Sequence, residues 1–319
     1  MNDTSHSRNL ALEFVRVTEA AAIAASEWIG RGEKHAADQA AVTAMRSRLN
    51  TIDFQGTVVI GEGAKDKAPM LYTGEKVGTG KPPHMDLAID PLECTDSVAY
   101  GRYNALAVVA AGAKGTLLNA PDAYMEKIAV GPQAAKVVDI DASVDANITN
   151  VAKALGKDKK EITVIVLDRE RHHKLIGEIR ATGARIRLIS DGDVAAAIAP
   201  SLAESDIDML MGIGASTEAV LAATAIKILG GQILCRFAPQ SPKQKRIVKK
   251  AGLDVTKIFS SEDLAKGKDL TFTATGVIDG PLLNGVVFKQ HRIITHSIVI
   301  RGISGTIRFI TTEHHMHPL

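Results

Sequence analysis

The feature that most limits what this chain can fold into is a regular alternation that begins near residue 160. ITVIVLD (162–168), ARIRLIS (184–190) and DMLMGIG (208–214) are short apolar runs, and helical patterns over 172–182, 194–204 and 217–229 follow them in turn. Strands joined by helices of that length form a parallel sheet covered on both faces, and such sheets bind ligands just beyond the carboxyl ends of their strands. Those ends carry Asp168, Arg169 and Arg171 after the first run, Asp191 and Asp193 after the second, and Ser216, Thr217 and Glu218 after the third. Charge therefore gathers on one predicted edge. The arginines suit either surface ion pairs or bidentate phosphate binding, and the aspartates suit either a helix cap or sugar hydroxyls.

The first half reads as mixed α+β. Residues 9–29 carry apolar side chains at helical spacing until Gly30 and Gly32, and 34–49 forms a second helix with Lys34 and Asp38 on one face. TVVI (57–60) and DLAI (86–89) read as short buried strands, 104–120 as a hairpin or meander, and 286–315 as a closing hairpin around GISG. HHMH (314–317) reads as a frayed tail. The expected architecture is α/β, with a mixed α+β half over 1–155 and a parallel βαβαβα half over 156–319.

Composition narrows the function classes. With 45% hydrophobic and 23% charged residues and no apolar span of membrane length, the 319-residue chain is expected to be soluble and to have no membrane partner. The first residues lack the pattern of a secretory signal, and Cys94 and Cys235 make neither a disulfide framework nor a zinc spacing, so a reducing cytoplasm is expected. A formal net charge of +2 argues against a nucleic-acid partner, and KQKRIVKK (243–250) reads as the solvated face of a helix. GIGAST (212–217) lacks the third glycine of a dinucleotide fingerprint and stands at the third turn of its unit, which excludes a nicotinamide site.

Two stretches point to divalent-ion chemistry. IGEGAKDKAPM (60–70) taken alone reads first as a glycine-rich turn with solvated charges, but Glu62 stands between two glycines at a strand's end, where one carboxylate is presented without crowding. In DPLECT (90–95), Asp90 and Glu93 lie three apart across a turn stiffened by Pro91, ahead of a short helix that Thr95 or Asp96 can cap. Hard cations such as Mg²⁺ take carboxylate oxygens together with substrate phosphate oxygens, and amides at a helix start receive phosphate.

Taken together, GRGEKHAADQAAVTAMR, IGEG, APMLY, DPLECT, PDAYMEKIAVGP, LDRERH, ISDGDV and GIGASTEAV, in that order over about residues 9–312, resemble the class II fructose-1,6-bisphosphatases of bacteria. DPLECT is also similar to a signature of the wider lithium-sensitive phosphatase superfamily, which includes inositol monophosphatases. The resemblance implies a layered α-β-α-β-α sandwich of the sugar phosphatase type and Mn²⁺ or Mg²⁺ dependence. It also implies hydrolysis of the 1-phosphate of fructose 1,6-bisphosphate in gluconeogenesis, and a homo-oligomer. Carried over by motif position, Asp38 and Glu62 serve one ion and Asp90, Glu93 and Glu218 another. Thr95 orients the attacking water, with Asp38 or Asp66 as its proton partner. Substrate contacts fall on Glu93, Cys94 and Thr95, on Tyr124, on Arg169, Glu170 and Arg171, on Asp191, Gly192 and Asp193, and at the backbone of Ala215. Alternatives of the same class act on sedoheptulose 1,7-bisphosphate or an inositol phosphate, and a non-catalytic sugar-phosphate-binding homologue is the alternative of a different class.

The chain departs from the family's pattern at several of these places. The family usually has Glu at positions 64 and 67, here Ala64 and Lys67, and Gly at position 94, here Cys94. It also often has Thr at Asp96, Gly at Ala215 and Pro at Thr217. Loss of negative charge near the ions implies weaker divalent-ion affinity, which Asp96 partly offsets. A side chain at position 94 implies backbone strain if the site demands positive φ.

Overall fold

The computed structural model describes residues 5–63 and 70–315, with side chains from residue 10 onwards. In chain order, α1 (Ser5–Ser26), α2 (Lys34–Leu49), β1 (Gln55–Ile60), β2 (Lys76–Val77), β3 (His84–Glu93), α3 (Thr95–Tyr100) and β4 (Ala105–Ala113) come first. Then follow β5 (Tyr124–Val130), α4 (Val144–Leu155), β6 (Thr163–Leu167), α5 (His173–Ala181), β7 (Arg185–Ile189), α6 (Val194–Ile198), β8 (Met209–Ala215) and α7 (Ser216–Ile228). The chain continues through β9 (Gln232–Phe237), α8 (Pro242–Lys250), β10 (Ile258–Phe259) and α9 (Ser261–Leu264). It closes with β11 (Leu270–Ile278), β12 (Val287–Lys289), β13 (Arg292–Arg301) and β14 (Thr306–His315).

These elements make two units, residues 1–117 with 267–319, and residues 118–266. The division differs from a linear one at 155/156 for a topological reason. The chain leaves the first sheet after β4, and β5 and α4 already belong to the second sheet's unit. It then returns to add β11–β14 beside β4.

In the first unit the sheet order is β12-β13-β11-β4-β3-β1-β2, with β14 on β13. Buried Phe14, Val17, Ala21 and Ala25 recur along α1, and Ala37, Ala41, Met45 and Leu49 along α2, at the spacing that puts one helical stripe on the sheet. They pack with Phe54, Val58, Leu87, Ile89 and Val109, and Phe14 meets Phe54 edge to face at 5.6 Å. Each of the larger side chains among them contributes about 1.5–3 kcal/mol by leaving water. Asp38 follows Ala37 and so lies at the margin of that stripe, half-buried. The expected hairpin over 104–120 is instead one long strand, β4, whose antiparallel neighbours are β3 and β11. The closing hairpin forms as expected, Arg301 pairing with Thr306. His314 and His315 belong to its second strand and are no frayed tail: His314 Nε2 lies 2.9 Å from Thr295 Oγ1. Residues 316–317 of that stretch fall outside the described residues.

In the second unit the order is β10-β9-β5-β8-β6-β7. β7, β6 and β8 run parallel as their alternating pattern predicts, but β5 lies antiparallel between β8 and β9, so the sheet is mixed. Ile128 and Val130 of β5 pack with α4 and α5 residues such as Ile148, Val151, Ile176 and Ile179. Strand alternation turns Lys127 to the opposite face, towards the starts of α6 and α7. The basic run lies in α8, where only Val248 is buried, the solvated helix its sequence suggests. Among the described residues, no helix is long and apolar enough to cross a membrane.

Candidate active site

The first unit gathers its acids at the ends of β1 and β3. β1 stops at Ile60, and Gly61 lets the chain pass hard against the backbone at Leu71, whose carbonyl accepts the Glu62 N–H at 3.0 Å. A Cβ at position 61 would lie 2.1 Å from that oxygen, so the turn that presents Glu62 requires glycine. β3 runs on through the DPLE segment, and a bulge shifts its register against β4 between Asp90 and Glu93. The extra residues re-aim the strand end, and Asp90 Oδ1 closes the turn by accepting the Leu92 N–H at 3.1 Å. Glu93 is buried at 2% exposure, and Thr95 opens α3, half-buried.

The electrostatics tie three of these acids together. Burial, then the charges of Asp90 and Asp38, push the Glu62 carboxyl up to about 8. Burial also raises Asp38, against the opposing charge of His35. Repelling carboxylates of this kind are hard oxygen donors in need of a positive neighbour, which fits a divalent cation. Among the described residues, no three Asp, Glu, His or Cys side chains close into a ready-made ion cage. Asp66, Ala64 and Lys67 lie outside the described residues.

Neither Thr95 nor Asp96 caps α3. Cys94 takes the N-cap position with left-handed backbone, φ 73° and ψ 53°, and no side chain caps the helix. Asp96 is turned instead to Lys34, 3.6 Å away.

The second unit holds another group, at the carboxyl ends of β6, β7 and β8. Arg169 pairs with Asp191 at 3.2 Å on the surface, and Glu170 beside it is exposed. Arg171 donates to the Ile213 carbonyl from Nε at 3.1 Å and Nη2 at 2.8 Å, and its guanidinium lies 4.9 Å over the Tyr124 ring. Tyr124 stands opposite Ala215 in the β5–β8 pair. Asp193 follows Gly192 at the N-cap of α6 but makes no side-chain cap. Both of its oxygens are taken by Lys127 Nζ, at 2.8 and 2.9 Å, and all of this is buried. Glu218, in the first turn of α7, accepts the Ala215 N–H at 2.9 Å and lies 3.5 Å from the same ammonium. Burial and the Asp193 charge push the Glu218 carboxyl up, while Lys127 and the Ala215 amide pull it down. For Lys127, burial disfavours the charge, and Asp193 and Glu218 more than offset it. Glu218 thus belongs to this group, and Asp38, Glu62, Asp90, Glu93 and Thr95 to the other.

Known proteins match this chain over nearly its whole length. The family described as bacterial fructose-1,6-bisphosphatase, glpX-encoded, matches residues 8–314. The chain belongs to that family. Its relatives include fructose-1,6-bisphosphatase 1 class 2 of Escherichia coli K12, 44% identical over 322 residues that cover 97% of this chain and 96% of that protein. The class 2 fructose-1,6-bisphosphatases of Escherichia coli O6:H1 and Shigella flexneri are similar to the same extent.

For a glpX-type phosphatase the structure adds residues that sequence reasoning passes over. Lys127 is foremost: in YMEKIAV it shares one strand face with Met125 and Ala129, and a lone cation on an apolar face is the signal for a buried ion pair. His172 is another, buried where β6 gives way to α5. The glycines of GIGAST prove to serve packing. A Cβ on Gly214 would meet Asp193 Oδ2 at 2.0 Å and Lys127 Nζ at 2.8 Å, and one on Gly212 would press on the His172 ring.

Proposed function

We propose that this protein hydrolyses the 1-phosphate of fructose 1,6-bisphosphate to fructose 6-phosphate and phosphate with Mn²⁺ or Mg²⁺. The observation that carries the reading is a buried Glu62 carboxyl that faces the charges of Asp90 and Asp38, in a chain that belongs to this family along nearly its full length. Asp38 and Glu62 would hold one ion, and Asp90 and Glu93 another. Bound there, such ions make water nucleophilic near neutral pH and neutralise phosphoryl oxygens.

The protein's own part is to place and hold. The Thr95 hydroxyl orients the attacking water, and Asp38 or Asp66 takes its proton. The turn from Glu93 to Thr95 receives the phosphate to be cleaved. Arg171 and Arg169 hold the second phosphate, since a guanidinium keeps its charge and matches phosphate geometry. Of Arg171's five N–H donors, two are committed to Ile213, which leaves the rest for an anion. Tyr124, Asp191 and the backbone at Ala215 border the sugar. The resemblance supports a homo-oligomer working in the cytoplasm, and light scattering checks the former.

The test is phosphate release from fructose 1,6-bisphosphate by purified protein with Mn²⁺, with Mg²⁺ and with chelator. Ion-dependent release, highest in kcat/KM for this ester over sedoheptulose 1,7-bisphosphate and inositol phosphate, is the expected result. Glu93→Ala should abolish it. Equal release in chelator would sink the ion assignment, and no release under any condition would sink the reaction.

A further inference from the structure

We infer that His172 is a positioning residue for substrate recognition, holding Ile213 so that Arg171 meets the substrate's second phosphate already braced. This rests on the reading of Arg171 as a phosphate-binding residue, and the geometry around it carries the rest. β8 is paired with β6 only at Val164–Met209 and Ile165–Leu210, so beyond Leu210 the strand pairing with β6 no longer holds the backbone on that side. The His172 ring spans the gap. Its Nδ1 lies 2.8 Å from the Leu167 carbonyl, the last residue of β6, and its Nε2 lies 2.7 Å from the Ile213 N–H. An amide N–H only donates and a carbonyl only accepts, so Nε2 is the bare nitrogen and Nδ1 carries the hydrogen. This is a neutral ring with both nitrogens satisfied.

The neighbouring side chain completes the arrangement. Arg171 donates twice to the carbonyl of the same Ile213 whose N–H is held by His172. Two consecutive residues thus grip both polar groups of one residue in β8, and the guanidinium is further fixed over Tyr124. Glycine at position 212 makes room for the ring: at φ +151°, strained for any other residue, a Cβ there would press on Nε2 from 3.2 Å. His172 is 1% exposed, so it acts through Ile213 and Arg171 and does not touch substrate. A long arginine braced beforehand loses less freedom when it binds an anion, which appears as affinity.

His172→Phe fills the space but offers no acceptor, and His172→Gln keeps an amide that can accept and donate. KM for fructose 1,6-bisphosphate and the Kd of fructose 6-phosphate by calorimetry should both rise about tenfold in His172→Phe, with kcat within about twofold of wild type. His172→Gln should recover most of the loss. If the Phe variant does not fold, His172→Asn, whose shorter amide falls short of Ile213, takes its place with the same expectation. The inference is overturned by a fall in kcat at unchanged KM, by unchanged fructose 6-phosphate affinity, or by a Gln variant as impaired as Phe. Wild-type protein that neither turns over the bisphosphate nor binds fructose 6-phosphate would overturn the functional reading as well. Wild-type turnover with unperturbed variants overturns the role of His172 alone.

Discussion

Replacing Cys94 by alanine and by glycine separates two forces that the native residue combines. Its backbone sits at φ 73°, ψ 53°, while its side chain is 8% exposed within the first unit's core. Cys94→Ala removes the sulfur, which lies 3.8 Å from Asn104 Nδ2, and keeps the Cβ that makes the left-handed region unfavourable. Going on from alanine to glycine removes that strain, about 1–2 kcal/mol, and forfeits about 0.8 kcal/mol for one buried methyl. Glycine should therefore equal alanine or exceed it by up to about 1 kcal/mol. In an ordinary helical position the same step costs about 1 kcal/mol of propensity plus the methyl, so glycine would trail by roughly 2 kcal/mol. The sign decides. Urea denaturation read by fluorescence suits the comparison, because the protein's single tryptophan, Trp28, packs against the core cluster that contains Cys94. A glycine variant less stable than the alanine variant by about 1.5 kcal/mol or more would refute the strain argument. The same pair bears on catalysis, since Cys94 immediately precedes Thr95: if its Cβ crowds the bound phosphate, only the glycine variant should gain kcat/KM.

Three further outcomes follow from named contacts. Lys127→Met should destabilise the second unit by about 3–5 kcal/mol in urea denaturation, because it strands the buried Asp193, and adding Asp193→Leu should restore most of the loss. Gly214→Ala should cost roughly 1–3 kcal/mol and impair turnover, since its methyl would displace Asp193 from Lys127; an unchanged melting temperature would count against that packing. At Asp263, burial opposes the carboxylate, but hydrogen bonds from Lys257, the Ser260 hydroxyl and the Ser260 amide overcome it and hold the group down to about 2, below its ordinary 3.8. Its contribution is present above pH 3.8 and lost as pH falls towards 2, so Asp263→Asn should flatten the acid limb of the stability curve there.

Much of this was legible because local rules and tertiary needs agreed. The stripes of α1 and α2, the parallel trio β6, β7 and β8, and the bend at IGEG follow from periodicity and glycine placement. β5 was not readable as a member of the second sheet, because an antiparallel strand inserted between β8 and β9 leaves no mark in its own short alternation. The return of β11–β14 to the first sheet was hidden for the same reason. At the site, the acids stood out by type, but the sharing of one ammonium by Asp193 and Glu218 depends on a lysine from another strand. A cap for α3 was expected from Thr95 or Asp96 on propensity alone, and a left-handed Cys94 took the position instead.

The buried histidine gives the second unit a pH dependence whose sign can be worked through. Burial lowers the His172 pKa below its ordinary 6.5; the Leu167 carbonyl and Asp193 oppose this, and the positive charges of Arg171 and Arg169 add to it. A histidine whose folded pKa is depressed contributes stability that is fully present above the unfolded value of 6.5, and that stability is lost as pH falls through the folded pKa. Protonation would put a hydrogen on Nε2, where the Ile213 N–H already points at 2.7 Å, so the two donors would face each other and the clasp would open. The local signature is the Ile213 amide itself. After correction for intrinsic exchange, its hydrogen-exchange protection should fall between pH 7 and pH 5 in wild type, and should be low and independent of pH over that range in His172→Phe. Protection in wild type that stays constant down to pH 5 would mean that the ring's proton is not linked to this backbone. Arg171 would then owe its place to the Tyr124 ring and the β5–β8 pairing.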